Sequence, residues 1–264
     1  MAREFGPRKN YTFLRINQDG DLYESAKELK EGFKEITGTN GKVFYQKTYK
    51  STDYGKVNFL SIEEKDFPTG KVKYVEMSIL SEDGESVDVV QLPLVNTKGG
   101  MTDEVKKLTA VLPTIDFART IIVSSNNQKN DRGYIDKLLY FRYKAEEGDE
   151  KDIPLKFSLK FGESGSIPMF EIEEDALATG GKSYNYKAQD KFLSQVLLEE
   201  IKRFAAFKAG DVYPSRYFKV WGEDVTETTA PIPAKAAEVK APVEDTNPFS
   251  AIDEDDENPF YTWI

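Results

Sequence analysis

The chain contains neither cysteine nor histidine. That excludes disulfides, thiolate nucleophiles, Cys/His zinc sites and any Ser-His-Asp triad. Acid–base chemistry would fall to Asp, Glu, Lys or Tyr. No apolar run is long enough to span a membrane as a helix, so no membrane partner is expected. The start, Met1-Ala2-Arg3-Glu4-Phe5-Gly6-Pro7-Arg8-Lys9, has no apolar run after its charges. No signal peptide is therefore visible, and a cytoplasmic location is expected.

A charge excess is also missing from most of the chain. The formal net charge of the 264 residues is −10. Eleven acids and only two bases fall in 222–264, so that segment carries −9 and the other 221 residues carry −1. The acidity belongs to the tail, and a near-neutral body can still carry a basic stripe.

Three segments have helical spacing. Asp21–Ile36 places Leu22, Ala26, Leu29, Phe33 and Ile36 on one stripe, with Gly38 as a stop. Thr102–Leu112 starts on a Thr-Asp cap and ends before Pro113. Gln189–Lys208 carries Leu193, Leu197, Ile201, Phe204 and Ala205, with Gly210 past its end. Strands are expected at Tyr11–Asn17, Val43–Lys50, Lys56–Ile62, Val72–Leu80, Ser86–Leu94, Thr120–Ser124, Tyr134–Lys144, Pro154–Phe161 and Pro168–Ile172. The clearest alternation is Leu155, Phe157, Leu159 and Phe161 against Lys156, Ser158 and Lys160. Turn sequences such as Asp53-Tyr54-Gly55 and Asp83-Gly84 separate the strands. The fold class read from this is mainly β (α+β): an antiparallel barrel with added helices.

After Trp221 the composition changes to Ala/Pro-rich linker and then to Asp253-Glu254-Asp255-Asp256-Glu257. Five adjacent carboxylates repel one another and bury nothing, so the expected division is a folded domain over 1–221 and a disordered tail over 222–264. The tail ends in Pro259, Phe260, Trp263 and Ile264, an apolar tip suited to a protein partner. It could also lie in the chain's own basic groove. Asn-Pro-Phe occurs twice, at 247–249 and 258–260. That tripeptide is similar to the motif bound by eukaryotic endocytic adaptor domains, which leaves an interaction adaptor as the alternative function.

Catalytic signals are weak. Gly181-Lys182-Ser183 lacks the earlier glycine of a phosphate-binding loop, Ala176 standing there instead, and reads as a turn. The pairs Glu63-Glu64, Glu146-Glu147 and Glu173-Glu174 read as solvated surface. A flexible acidic run holds divalent ions only weakly. No enzyme, metal or cofactor is expected, and a metal-dependent nuclease ranks last among the readings.

Basic and aromatic residues interleave through the β region. Tyr45, Lys47 and Tyr49 share one face of a strand, followed by Lys50, Tyr54, Lys56 and Phe59. Lys71, Lys73 and Tyr74 come next, and Arg132 and Tyr134 lead into a strand where Tyr140 and Arg142 share a face. Single-stranded nucleic acid needs this pairing: cations follow phosphates, and aromatic rings stack on unpaired bases. The plain structural reading is that aromatics are common in strands and Lys decorates exposed faces.

The layout resembles single-stranded DNA-binding proteins, particularly those of bacteriophages. The acidic run followed by Asn258-Pro259-Phe260 is similar to the tip of the bacterial family, although Tyr261-Thr262-Trp263-Ile264 extend beyond the Phe here. Leu112-Pro113-Thr114-Ile115-Asp116 before the strand at Thr120 is also similar to phage members. The resemblance implies an OB-fold-like body that coats single-stranded DNA in replication, recombination and repair. The tail would recruit replication proteins such as polymerase, helicase or primase, and copies could associate as a homo-oligomer.

Overall fold

The computed structural model describes residues 9–17, 19–38, 41–67, 70–129, 135–146, 151–159, 167–174, 182–212 and 214–218. The tail, both Asn-Pro-Phe motifs, Arg132 and Tyr134 lie outside these residues, as does Gly181 of the Gly-Lys-Ser turn.

The described part is mainly β with two helices. In chain order the elements are β1 (Asn10–Ile16), β2 (Leu22–Ala26), β3 (Lys34–Thr37), β4 (Val43–Tyr49), β5 (Gly55–Phe67), β6 (Gly70–Ser81), β7 (Ser86–Pro93) and α1 (Asp103–Val111). After a 3-10 turn come β8 (Ile121–Lys129), β9 (Ile135–Tyr143), β10 (Ile153–Pro154), β11 (Glu171–Glu174), β12 (Lys182–Asn185) and α2 (Lys187–Lys208). Ten strands form one sheet in the order β10-β9-β8-β5-β6-β7-β1-β2-β4-β3, and β11-β12 form a separate pair.

The sheet is mixed and its ladders do not close. β1 runs parallel to β7, in register Phe13↔Val89 and Leu14↔Val90, while the other pairings are antiparallel. β3 and β10 remain as edges. An isolated bridge, Ser51↔Ser124, nevertheless joins the end of β4 to β8. It is supported by Thr52 N–H donating to the Val123 carbonyl at 2.8 Å and by Leu22 N–H donating to Ser125 Oγ at 2.9 Å. The sheet therefore curls strongly without becoming a continuous barrel.

Alternation decides which residues face inward. Leu14, Leu22, Val57, Leu60, Val75, Met77, Ile79, Val90, Leu92, Val123, Leu139 and Phe141 form one core cluster with Val105, Leu108 and Val111 of α1 and Leu193, Val196, Leu197 and Phe204 of α2. Both helices thus pack on the same face of the sheet. Each fully buried Leu or Ile here is worth about 2–5 kcal/mol against truncation to Ala. A register shift between Val57 and Phe59 keeps Leu60 on the core side and turns Phe59 outward. Gly55 starts β5 because a Cβ there would stand 2.0 Å from the Leu80 carbonyl oxygen.

α1 and α2 fall where the sequence places them. The Thr102 side chain accepts from Val105 N–H and caps α1. Buried ion pairs tie the helices into the fold. Lys106 of α1 meets Asp190 of α2 at 3.0 Å, and Asp190 also accepts from Met101 N–H. Arg203 bonds Glu200 at 2.6 Å and donates to the carbonyls of Leu112 and Ile115.

The strand expected over Pro168–Ile172 lies instead at Glu171–Glu174, and two expectations fail outright. The helix over Asp21–Ile36 is absent: β2 and β3 occupy it, joined through Gly32 at φ +79°. The helical stripe was coincidental, since only Leu22 is fully buried and Leu29 is exposed. Pairing with β1 and β4 satisfies this backbone instead. Of the strand expected over Pro154–Phe161, Lys160 and Phe161 lie outside the described residues, and among the rest only Pro154 is in a strand, β10. Beyond it, Ser158 N–H turns to the Ala110 carbonyl of α1 and Ser158 Oγ donates to the Tyr217 carbonyl, so the bonds of a ladder go to a helix end and a loop.

Candidate nucleic-acid interface

Among the described residues both helices cover one face of the sheet; on the other, Val87, Val89, Ser78, Gln91 and Tyr74 are buried at the centre, and register shows which side chains stand exposed around them. Phe13 on β1 is paired with Val89 on β7, Val89 with Ser78 on β6, and Ser78 with Phe59 on β5. With neighbouring strands about 4.8 Å apart, this row places two aromatics roughly 14 Å from each other over a floor of small side chains. The next row runs Tyr11, Val87, Leu80, Lys56. Tyr11, Phe13 and Phe59 are 57%, 47% and 41% exposed. The rings of Tyr11 and Phe13 lie nearly parallel, 20° apart in plane, with centroids at 6.4 Å.

A polar row borders the aromatics. Arg15 Nε donates to Gln91 Oε1 at 3.2 Å, Gln91 Nε2 donates to Glu76 Oε1 at 2.7 Å, and Lys65 Nζ pairs with the same Glu76 oxygen at 2.5 Å. Both cations also lie against rings. Lys65 Nζ is 5.4 Å from the Phe13 centroid and 5.7 Å from that of Tyr74, and Arg15 is 5.6 Å from Tyr74. Glu76 holds the cations in place at the edge of the exposed rings, and cation–π attraction adds to the arrangement. Tyr74 itself is buried, which pushes its phenol above the ordinary range, with Arg15 opposing the shift. It supports the cations from beneath.

A second group lies where β8 and β9 meet the start of β5. Ser124 pairs with Tyr140, and Arg142 Nη2 donates to Ser124 Oγ at 3.2 Å. Tyr140 is 45% exposed. Tyr54 Oη donates to Asp152 Oδ2 at 2.7 Å, and Lys144 Nζ lies 5.6 Å from the Tyr54 ring. The Tyr54 bond holds the Asp152 carboxyl below its usual value, while Asp152 raises the Tyr54 phenol.

The residues expected from sequence therefore divide. Lys56, Phe59, Tyr74, Tyr140 and Arg142 lie on the open face, and Tyr54 stands beside them. Tyr45, Lys47 and Tyr49 alternate with that face, because Tyr49 pairs with the core residue Leu22. Tyr49 packs against the core, donates its hydroxyl to Glu24 at 3.0 Å and has Lys47 Nζ 5.0 Å from its ring. Burial first, then Glu24, pushes its phenol well above the ordinary range. Lys71 and Lys73 also alternate with Tyr74, and Lys71 pairs with Glu64 at 2.8 Å. Lys50 pairs with Asp21 at 3.3 Å.

Tyr11, Phe13, Arg15 and Lys65 are the residues that sequence reading missed. β1 alternates Tyr11, Phe13, Arg15 with Thr12, Leu14, Ile16, and both sets contain apolar members, so the pattern alone does not name the outward face.

Among the described residues no group of three Asp or Glu is placed to hold a metal ion, and no helix is long and apolar enough to cross a membrane. Comparison with protein-family models, with curated proteins and with solved structures finds no match to this chain.

Proposed function

We propose that this protein binds single-stranded DNA along the open face of the sheet, without catalysing a reaction on it. The observation that carries the reading is four exposed aromatics, Tyr11, Phe13, Phe59 and Tyr140, on the face the helices leave uncovered, with Arg15, Lys65 and Arg142 among them. Ring faces stack on unpaired bases whatever their identity, and the cations accompany the phosphates. A duplex keeps its bases stacked internally and gains nothing from the rings.

The strongly curled sheet supports an OB-like reading of the body, as in the phage proteins that the tail sequence resembles. In that role the protein coats and protects single strands during phage DNA replication, recombination and repair in the host cytoplasm. The acidic tip 253–257 with Pro259, Phe260, Trp263 and Ile264 recruits polymerase, helicase or primase.

Fluorescence anisotropy of a labelled dT oligonucleotide, with a duplex of equal length as competitor, tests the reading over a salt series. The expected result is tight, salt-dependent binding to the single strand that duplex displaces poorly. Preference for duplex, or no binding at low salt, would sink it.

A further inference from the structure

The solvent face of α2 is a stripe of uncompensated lysines. Lys187, Lys191, Lys202 and Lys208 are all exposed, and none has an ion pair among the described residues. At about 100° per residue, Lys187, Lys191 and Lys202 fall within roughly 60° of one another, and Lys208 lies roughly 60° beyond Lys187. Every acid on the helix is engaged elsewhere: Asp190 with Lys106, Glu200 with Arg203, and Glu199 with Arg216. Leu198, also exposed, lies in the middle of the stripe. Two cations of the open sheet face differ, since Lys65 is matched by Glu76 and Arg15 is held on Gln91.

The end of the described body is seated on this same helix. Arg216 Nη2 lies 3.6 Å from Glu199 Oε1, the Ser215 hydroxyl donates to Glu200, and the Tyr217 ring meets Phe192 edge-on at 6.0 Å. Together, residues 199, 200, 203 and 214–216 line a small cavity of about 110 Å³. The last described residues, 214–218, therefore lie at the flank of α2, and the sequence after them carries the acidic run 253–257.

We propose that α2 is the docking surface for the protein's own acidic tail: the 253–257 carboxylates lie along Lys191 to Lys202. The dimensions agree. Lys191 to Lys202 spans about 16 Å of helix, and five extended residues span about 17 Å. Residues 219–252 make a tether of 34. Fully extended, 34 residues reach on the order of 110–120 Å, several times the ~33 Å length of α2, so the acidic run can reach any part of the helix. The charges are complementary: Lys191 and Lys202 face the five adjacent anions, with Lys187 and Lys208 about 6 and 9 Å further along the helix at either end. α2 lies on the helix side of the sheet, so docking there leaves the aromatic face open. The tail and a nucleic acid strand then occupy different sides of the molecule.

The absence of cysteine gives a direct test, because Ser250→Cys supplies a single labelling position. The full chain is labelled there with a nitroxide, and paramagnetic broadening of backbone amides is measured with no nucleic acid present, which keeps the outcome independent of strand binding. The expected result is broadening of α2 amides that persists on dilution with unlabelled protein. It should disappear in ~0.5 M salt, where the Debye length falls to about 4 Å. It should also disappear when Lys187, Lys191, Lys202 and Lys208 are all replaced by Gln, which keeps helix propensity while removing charge; circular dichroism checks that variant's fold. Broadening centred on β1 and β5, no broadening, or broadening on α2 that survives the four substitutions would each overturn the proposal. So would broadening lost on dilution, which would assign the contact to a neighbouring copy. Loss of oligonucleotide affinity by the four-Gln variant, with no broadening on α2 in the parent, would make the stripe a phosphate track instead.

Discussion

Replacing Phe13 or Phe59 by Ala removes an exposed ring and no charge. If each ring stacks on one base, each loss is about 1–3 kcal/mol, or roughly fivefold to a hundredfold or more in dissociation constant. The double variant should approach the product of the two, because the row Phe13-Val89-Ser78-Phe59 separates the rings by about 14 Å and additivity holds for distant sites. The salt slope should stay unchanged, since no phosphate contact is lost. Arg142→Gln should do the reverse: weaker binding with the logarithmic salt slope reduced by about 0.7, one phosphate's worth for a single strand. Both rings are more than 40% exposed, so stability should fall by only about 1 kcal/mol or less per ring. Anisotropy titrations of labelled dT oligonucleotide at four or more salt concentrations, with a thermal melt of each variant, separate the two signatures. Unchanged affinity in the double variant with an intact melt would refute the stacking argument, and a changed salt slope in it would mean that the rings act through the adjacent Lys65.

Other predictions concern stability. Arg203→Met leaves the Glu200 carboxylate buried without its partner and should cost about 3–5 kcal/mol in denaturant unfolding; a loss below about 1 kcal/mol would show that the pair adds little. Gly55→Ala places a Cβ 2.0 Å from the Leu80 carbonyl oxygen. It should destabilise by about 2 kcal/mol or more, and a melt matching the parent would contradict the close approach of β5 and β6. Burial raises the Asp88 carboxyl, Asp53 and Glu24 add to the shift, and the Asp53 N–H opposes it. A folded value above the unfolded one means that the protonated form is favoured: the contribution to stability is full below about pH 3.9 and is lost as pH rises through the folded value. Asp88→Asn, which can still accept from Asp53 N–H, should therefore melt higher than the parent at neutral pH and show no gain in acid; an equal difference at both pH values would refute the assignment.

Much of the architecture is set by local geometry. The Thr102 cap and the stop before Pro113 delimit α1, and the stripe of Leu193, Leu197, Ile201 and Phe204 fixes α2. The β5-β6-β7 meander follows from alternation separated by Pro68-Thr69-Gly70 and Asp83-Gly84. These features depend on neighbours within a few residues, which a linear pattern records. Asp21–Ile36 failed because a helical stripe and two short strands use overlapping positions, and the choice rests with β1 and β4, distant partners that satisfy the backbone. The composition already contained the basic and aromatic residues of the proposed interface and the acidic tail. Tertiary structure alone decided which of them act together. An alternating strand offers two faces, and the helices, by packing on Leu14, Leu60 and Met77, turned Phe13, Phe59 and Lys65 to solvent and left Tyr45, Lys47 and Tyr49 on the other side. The parallel pairing of β1 with β7 then brought Tyr11 and Phe13 level with Lys56 and Phe59, a juxtaposition across more than forty residues that no local pattern encodes.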